Sequence, residues 1–90
     1  MTEKISAHRN KIDSLDLQIL ELVQKRIEHA ISIRQLKTEQ GIPLFTPERE
    51  KALIRRLVEV SQGQLPSDVI EDIWKTIIAG GKRTGDTGSD

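Results

Sequence analysis

The first forty residues carry an unbroken helical pattern of hydrophobic positions. The segment from Glu3 to Gln40 contains neither glycine nor proline, which predicts one long helix. On a heptad repeat, isoleucine fills one seam position and leucine the other: Ile5, Ile12, Ile19 and Ile33, then Leu15, Leu22 and Leu36. Arg26 and His29 interrupt this seam. A cation in an apolar stripe costs free energy unless a group pairs with it, so Arg26 is the first candidate for function.

Two shorter helices are predicted in the second half of the chain. Thr46 and Pro47 fit the N-cap and first position of a helix, which we expect to run to about Ser61. Pro66 opens a third helix, whose apolar residues recur at helical spacing. They are Val69, Ile70, Ile73, Trp74, Ile77 and Ile78. No strand pattern appears in the sequence, so the predicted fold class is all-α with three helices.

Glycine-rich sequence follows the third helix. Gly80 and Gly81 each disfavour a helix by about 1 kcal/mol, so we expect them to break the third helix or loosen its end. The sequence after them is rich in Gly, Thr, Ser and Asp, which is typical of a disordered tail. The predicted organisation is one helical domain over residues 1–79 and a flexible tail over residues 80–90.

The first helix is too long to be buried within its own chain. At a rise of about 1.5 Å per residue, it would be on the order of 55 Å long. A compact chain of 90 residues has a radius of gyration of only about 12 Å. Since the apolar seam needs a cover, the sequence predicts a homodimer.

The composition excludes several classes of function. The 14 Lys and Arg balance the 14 Asp and Glu, so no net basic charge attracts nucleic acid or an anionic membrane. Without cysteine, and with His8 and His29 isolated, neither thiolate catalysis nor a metal site is expected. No nucleotide-binding glycine motif supports a cofactor. With no signal segment or membrane-spanning run, a cytoplasmic protein is expected.

Three cations on the first helix are placed to form a site. Arg26 and Lys37 lie eleven residues apart, on nearly the same face and about 16 Å apart along the axis. Their side chains could converge on one ligand. Arg9 lies roughly 25 Å from Arg26, but antiparallel pairing of two long helices would bring it to Arg26 and Lys37 of the other chain. A dimer would then hold two equivalent cationic sites.

A structural interpretation of Arg26 is equally open from the pattern alone. Glu21, Glu28 or Glu50 could neutralise it in an ordinary ion pair. His29 fits a packed or interface histidine better than a base.

The ordered part of the chain resembles the all-helical (AroQ-type, type II) chorismate mutase family over roughly residues 5–79. The resemblance rests on several fragments in order and at the right spacing. They are Arg9 followed by Ile12-Asp13-Ser14-Leu15-Asp16, then Ile19-Leu20-Glu21-Leu22-Val23-Gln24-Lys25-Arg26, Lys37, and Gly41-Ile42-Pro43 leading to Pro47-Glu48-Arg49-Glu50. The resemblance implies an intertwined helical homodimer that converts chorismate to prephenate in aromatic amino acid synthesis, the shikimate pathway.

The resemblance also implies roles for five residues in a reaction that needs no cofactor, nucleophile or metal. Arg26 and, from the other chain, Arg9 would clamp the two substrate carboxylates, which guanidinium groups bind bidentately. Lys37 would face the ether oxygen and a carboxylate. Arg49 would support the positive field, and Glu50 would accept a hydrogen bond from the ring hydroxyl. The site would hold the reactive conformer and stabilise the charge that develops on the ether oxygen.

The chain departs from the family pattern late in the third helix. Where family members commonly carry a Gln or Glu as a second donor to the ether oxygen, this chain has Gly85, and Gly81 stands where a Ser is common. Losing one preorganised donor can cost on the order of a hundredfold in rate. Lys82 or Thr84 could substitute if the helix continued through the two glycines, which the sequence does not favour.

A second departure lies before the second helix and leaves other functions open. Phe45 and Thr46 replace an Arg and an Asp found near the ring hydroxyl in some members. Thr46 would touch the substituent that distinguishes chorismate from 4-amino-4-deoxychorismate, which similar proteins rearrange in antibiotic pathways. Similar proteins also cleave isochorismate to salicylate and pyruvate. Non-catalytic alternatives are a helical dimer with a regulatory or partner-binding role and a plain coiled-coil module.

Overall fold

The protein is built of three α-helices. The computed structural model describes residues 2–44 and 46–87. The helices are α1 (Thr2–Gln40), α2 (Pro47–Ser61) and α3 (Ser67–Thr87), and the described residues contain no strand. The all-α, three-helix prediction is therefore confirmed.

The long helix α1 has 39 residues and ends as the sequence predicts. Glu3 lies in its first turn and Lys37 in its last, so both charges are favourable to the helix dipole. At the C-terminus, Gly41 has a positive φ of 70°. Its N–H donates to the carbonyl of Thr38 at 3.3 Å, and the N–H of Ile42 donates to the carbonyl of Lys37 at 2.8 Å. These two bonds are the Schellman motif, which glycine in the left-handed region makes possible.

The bounds of α2 also agree with the prediction, although its caps differ in detail. Thr46 is the N-cap residue, but its side chain makes no capping hydrogen bond. Its carbonyl instead accepts from the N–H of Arg49 at 3.1 Å. At the other end, Gln62 rather than Gly63 is the C-cap, in the left-handed conformation with φ 50°. Gly63 follows with φ 79°, so the chain turns sharply towards α3.

Helix α3 passes through Gly80 and Gly81 without interruption and continues to Thr87. The predicted break of the helix at the two glycines is therefore wrong, and a loosened end stays a prediction. The flexibility of residues 80–90 stays a prediction, and residues 88–90 lie outside the described residues.

Contacts with α1 explain why α3 remains helical through Gly80 and Gly81. Gly81 is buried, and a Cβ built on it would lie 3.8 Å from Cγ1 of Ile27 and 3.9 Å from Cβ of Ala30. Beyond it, Nη1 of Arg34 donates to the carbonyl oxygen of Lys82 at 2.9 Å. Tertiary packing routinely outweighs a helix propensity cost of about 1 kcal/mol per glycine.

The single chain is elongated, and its α1 seam is uncovered. α3 packs against both other helices, while residues 2–22 of α1 are all exposed. The chain measures 59 × 32 × 14 Å and has a radius of gyration of 16.7 Å, against about 12 Å for a compact chain of this length. Among the described residues, Ile70 is the one buried hydrophobic side chain, at 2% exposure. Large apolar residues of α1 are 52–70% exposed: Ile5, Ile12, Leu15, Leu17, Ile19, Leu20, Leu22, Ile33 and Leu36.

Candidate functional site

A cavity of about 600 Å³ lies where the three helices and the loop before α2 meet. Its walls combine apolar and charged side chains. The lining residues are Arg26, Ala30, Ile33, Arg34, Lys37, Leu44, Thr46, Arg49, Glu50, Leu53, Ile78, Gly81 and Lys82. Its volume is within the range of small-molecule sites in proteins.

Helix α1 contributes one wall of the cavity through helical spacing. Arg26, Ala30, Ile33 and Lys37 follow one another at intervals of four, three and four residues, so their side chains share a face. Arg26 and Lys37 are half-buried there. The small side chain of Ala30 leaves room between the two cations, and Gly81 of α3 packs opposite it.

The structure brings together six of the seven predicted site residues around this cavity. They are Arg26, Lys37, Thr46, Arg49, Glu50 and Gly81. Arg9 is the exception, because it lies in the exposed N-terminal half of α1 and does not line the cavity. Phe45 lies outside the described residues, and the roles assigned by resemblance stay predictions.

The cavity wall is strongly cationic. Among the described lining residues, those with positive charge are Arg26, Arg34, Lys37, Arg49 and Lys82, and the one with negative charge is Glu50. In a chain with no net charge, this is a local concentration of positive charge. Low-dielectric walls strengthen such a field, so the cavity is suited to a ligand with more than one negative charge.

The carboxylate in the cavity is held by a lysine from another helix. Nζ of Lys82 on α3 lies 3.2 Å from Oε1 of Glu50 on α2, and both side chains are partly exposed. Elsewhere on α3, Lys75 pairs with Glu71 of its own helix at 2.6 Å. That hydrogen bond raises the pKa of Lys75 above its usual value. Lys75 does not line the cavity.

Sequence reasoning did not identify Arg34 as a lining residue and placed Lys82 only conditionally. Arg34 lies three residues before Lys37, a spacing that puts the two on neighbouring positions of one helix face. That spacing was a usable signal. The position of Lys82 at the cavity depends on the continuation of α3. The glycine pair made that continuation unpredictable from the sequence.

The described residues contain no cluster of His, Cys, Asp or Glu that could hold a metal ion. Over the same ranges, no helix has both the length and the apolar character needed to cross a bilayer.

Comparison with known proteins identifies the family. The family model for chorismate mutase type II matches residues 8–84. The chain is 34% identical over 77 residues to a bifunctional chorismate mutase/prephenate dehydratase of Neisseria gonorrhoeae, covering 86% of this chain and 21% of that protein. It is 35% identical over 74 residues to the T-protein of Haemophilus influenzae, covering 81% of this chain and 20% of that protein.

A shorter relative is more similar over a smaller part of the chain. The chorismate mutase of Methanocaldococcus jannaschii is 40% identical over 57 residues, which are 63% of this chain and 58% of that protein. The chain thus spans about a fifth of the length of the bifunctional relative and of the T-protein. A family match over residues 8–84 covers almost the whole described chain, so the protein belongs to the type II chorismate mutase family.

Proposed function

We propose that the protein is a chorismate mutase that rearranges chorismate to prephenate. The observation that carries this proposal is the cavity, whose lining residues include Arg26, Lys37 and Arg49 together with Glu50. Its charge is complementary to a dicarboxylate that also has a hydroxyl group. The family of the chain supports the same substrate.

The reaction asks little of the protein beyond shape and charge. In this Claisen rearrangement, the ether C–O bond of chorismate breaks while a new C–C bond forms, so the product is an isomer and no group is transferred to the protein. Binding the flexible substrate in its compact conformer removes the entropic cost of reaching the reactive geometry. Fixed positive charges stabilise the negative charge that develops on the ether oxygen.

The lining residues divide these tasks by their chemistry. Arg26 binds a carboxylate with two parallel hydrogen bonds, as a planar guanidinium does best. Lys37 donates to the ether oxygen and to a carboxylate, and Arg49 adds to the positive field. Glu50 accepts from the ring hydroxyl. Thr46 borders the ring, and Gly81 leaves room for it by lacking a side chain.

We further propose that the working form is an intertwined homodimer. The exposed apolar seam of α1 supports this, because removing such surface from water is worth about 25 cal/mol per Å². Antiparallel pairing of the α1 helices places Arg9 of each chain in the other chain's cavity. Each site then takes its second carboxylate clamp from the partner subunit.

The charge balance of the cavity favours chorismate over its amino analogue. Among the described lining residues, an amine that carries a proton would meet five cations and a single carboxylate, Glu50. Glu50 already pairs with Lys82. The hydroxyl of chorismate adds no charge. The glycine-rich end of the third helix favours a non-catalytic dimer with a regulatory or partner-binding role, but α3 continues through Gly80 and Gly81.

We also infer that the protein acts in the cytoplasm, in aromatic amino acid synthesis. Its support is the names of the relatives, a bifunctional chorismate mutase/prephenate dehydratase and a chorismate mutase.

The test is incubation of the purified protein with chorismate while the ultraviolet absorbance is followed and the product is identified. Rapid formation of prephenate is expected. The amino analogue and isochorismate are assayed side by side at the same concentrations. Faster turnover of either one, or no turnover of any of the three by the folded protein, would overturn the proposed function.

A further inference from the structure

Lys82 is a charged residue of the cavity that stands outside the predicted catalytic set. It lies on α3 immediately after Gly81, in the part of the helix that continues past the glycines. Its side chain lines the cavity. Its ammonium group is 3.2 Å from Oε1 of Glu50, so it is within hydrogen-bond distance of the carboxylate proposed to bind the substrate hydroxyl.

The backbone that carries Lys82 is held in place from two sides. Gly81 is buried against Ile27 and Ala30 of α1, which fixes the approach of α3 to α1. The carbonyl of Lys82 itself accepts a hydrogen bond from Arg34 at 2.9 Å. A side chain that starts from a fixed backbone loses less conformational freedom when it binds a ligand.

The ion pair of Lys82 differs from the one that Lys75 forms on the same helix. Lys75 bonds to Glu71 one turn away on its own helix, as exposed residues four apart commonly do. Lys82 instead reaches from α3 to α2, and both members of its pair line the cavity. Its ammonium is therefore held at the cavity wall, where a bound anion would meet it.

We propose that Lys82 is a substrate-binding residue whose ammonium group donates directly to a carboxylate oxygen of the dicarboxylate, while Glu50 holds it in position. An ammonium has three donors, so it can contact Glu50 and a ligand oxygen together. The identity of the ligand rests on the proposed function. The placement of Lys82 rests on the cavity and the ion pair alone.

The first experiment compares Lys82→Met with the wild type. Met has nearly the helix propensity of Lys, so circular dichroism and light scattering should show an unchanged fold and assembly. Affinity is measured by calorimetry with a bicyclic dicarboxylate that mimics the transition state. Loss of a charge-assisted hydrogen bond predicts a fall of about tenfold or more, with a matching rise in KM for chorismate.

Two matched variants accompany it. Lys82→Arg keeps the charge and should retain most of the affinity. Lys75→Met removes the other paired lysine of α3 and should leave affinity and KM within about twofold, because exposed pairs contribute little. Affinity of Lys82→Met within twofold of the wild type would overturn the proposal.

A double-mutant cycle separates direct contact from an effect through Glu50. If Lys82 touches the ligand, adding Lys82→Met to Glu50→Gln lowers affinity further. If Lys82 only orients Glu50, the double variant binds like Glu50→Gln, and the proposal of direct contact is wrong. Such cycles isolate the coupling between two contacting residues.

The failure of this inference differs from that of the proposed function. A wild type that binds the dicarboxylate but turns over no chorismate overturns the proposed function. The affinity of Lys82→Met for the dicarboxylate then still tests the role of Lys82. Full activity and affinity in Lys82→Met overturn the inference alone. A wild type that binds no dicarboxylate overturns both.

Discussion

The guanidinium group of Arg34 on α1 donates a hydrogen bond to the main-chain carbonyl of Lys82 on α3, with Nη1 and O 2.9 Å apart. The bond lies just beyond Gly80 and Gly81, the residues least favourable to a helix in this part of the chain. It ties the last turns of α3 to α1. Lys82 also lines the cavity. The continuation of α3 past its glycines therefore determines which charged residues the cavity wall contains.

The first prediction concerns the helical state of Gly80. No described atom outside its own helix would lie within 4 Å of a Cβ at this position. Replacing glycine by alanine inside a helix is worth about 1 kcal/mol, so Gly80→Ala should raise the melting temperature by about 4–8 °C. The measurement is thermal unfolding followed by circular dichroism at one protein concentration.

The control for that prediction is Gly63→Ala. Gly63 also has open space around it, but its φ is +79°, a conformation that costs a residue with a Cβ roughly 1–2 kcal/mol. This variant should melt at a lower temperature. If Gly80→Ala behaved like Gly63→Ala, the continuous helix through residue 80 would be contradicted.

The second prediction is that Arg26 carries most of the carboxylate binding. Arg26→Ala should lower kcat/KM for chorismate by about a thousandfold or more, because it removes two charge-assisted hydrogen bonds from the site. The variant should remain a folded dimer. Steady-state kinetics and light scattering give the two readouts.

Lys25→Ala is the matched control for Arg26. Lys25 is the adjacent residue and pairs with Glu21 at 3.1 Å on the exposed side of α1, so its loss should leave kcat/KM nearly unchanged. A small effect of Arg26→Ala, similar to that of Lys25→Ala, would argue for a purely structural Arg26.

The third prediction tests whether each site is built from two chains. Arg9→Ala and Arg26→Ala should each be inactive alone. If Arg9 serves the cavity of the partner subunit, a mixed dimer of the two variants contains one intact site and one that lacks both arginines. Random assembly from an equal mixture should therefore restore about a quarter of the wild-type activity.

The mixture must be refolded or produced together so that the chains can exchange. Activity that stays at the level of the separate variants would show that Arg9 acts within its own chain or has no role in the site.

The fourth prediction concerns the α1 seam. Leu15 lies on the seam and Leu17 on the opposite side of the heptad, and both are exposed in the single chain, at 54% and 70%. Leu15→Glu places a charge in the proposed interface, where it loses its hydration, and should give monomers or unfolded chains at micromolar concentration. Leu17→Glu should remain dimeric. Light scattering distinguishes the two, and a stable wild-type monomer would refute the dimer itself.

The bounds of the helices could be predicted from the sequence because local signals set them. Gly41 provides the left-handed residue that a Schellman end requires, and Thr46-Pro47 marks the start of α2. The end of α3 could not be predicted in this way. Its glycines are outweighed by contacts with Ile27 and Ala30, and such contacts depend on which faces of distant helices meet.

The same distinction applies to the candidate site. Arg26 could be identified because a cation in an apolar seam is unusual, and Lys37 and Arg9 followed from their spacing along the helix. Thr46, Arg49, Gly81 and the catalytic role of Glu50 came from the family resemblance. The spacing of Arg34 and Lys37 could have identified Arg34, whereas Lys82 joins the site because α3 continues past its glycines and packs on α1. Arg9 lies apart from the cavity in the single chain, so its role rests on a pairing of helices that one chain does not contain.

The scarcity of buried side chains has a consequence for how the protein survives in solution. With Ile70 as the one buried hydrophobic residue in the described part of the chain, an isolated copy has little apolar burial to keep it folded. If the proposed dimer is the working form, folding and pairing are a single second-order event, as in obligate dimers. Dilution favours the unfolded chains of such a dimer, so its melting temperature shifts with the logarithm of the protein concentration. The cell's supply of active sites would then depend on expression level more steeply than in proportion.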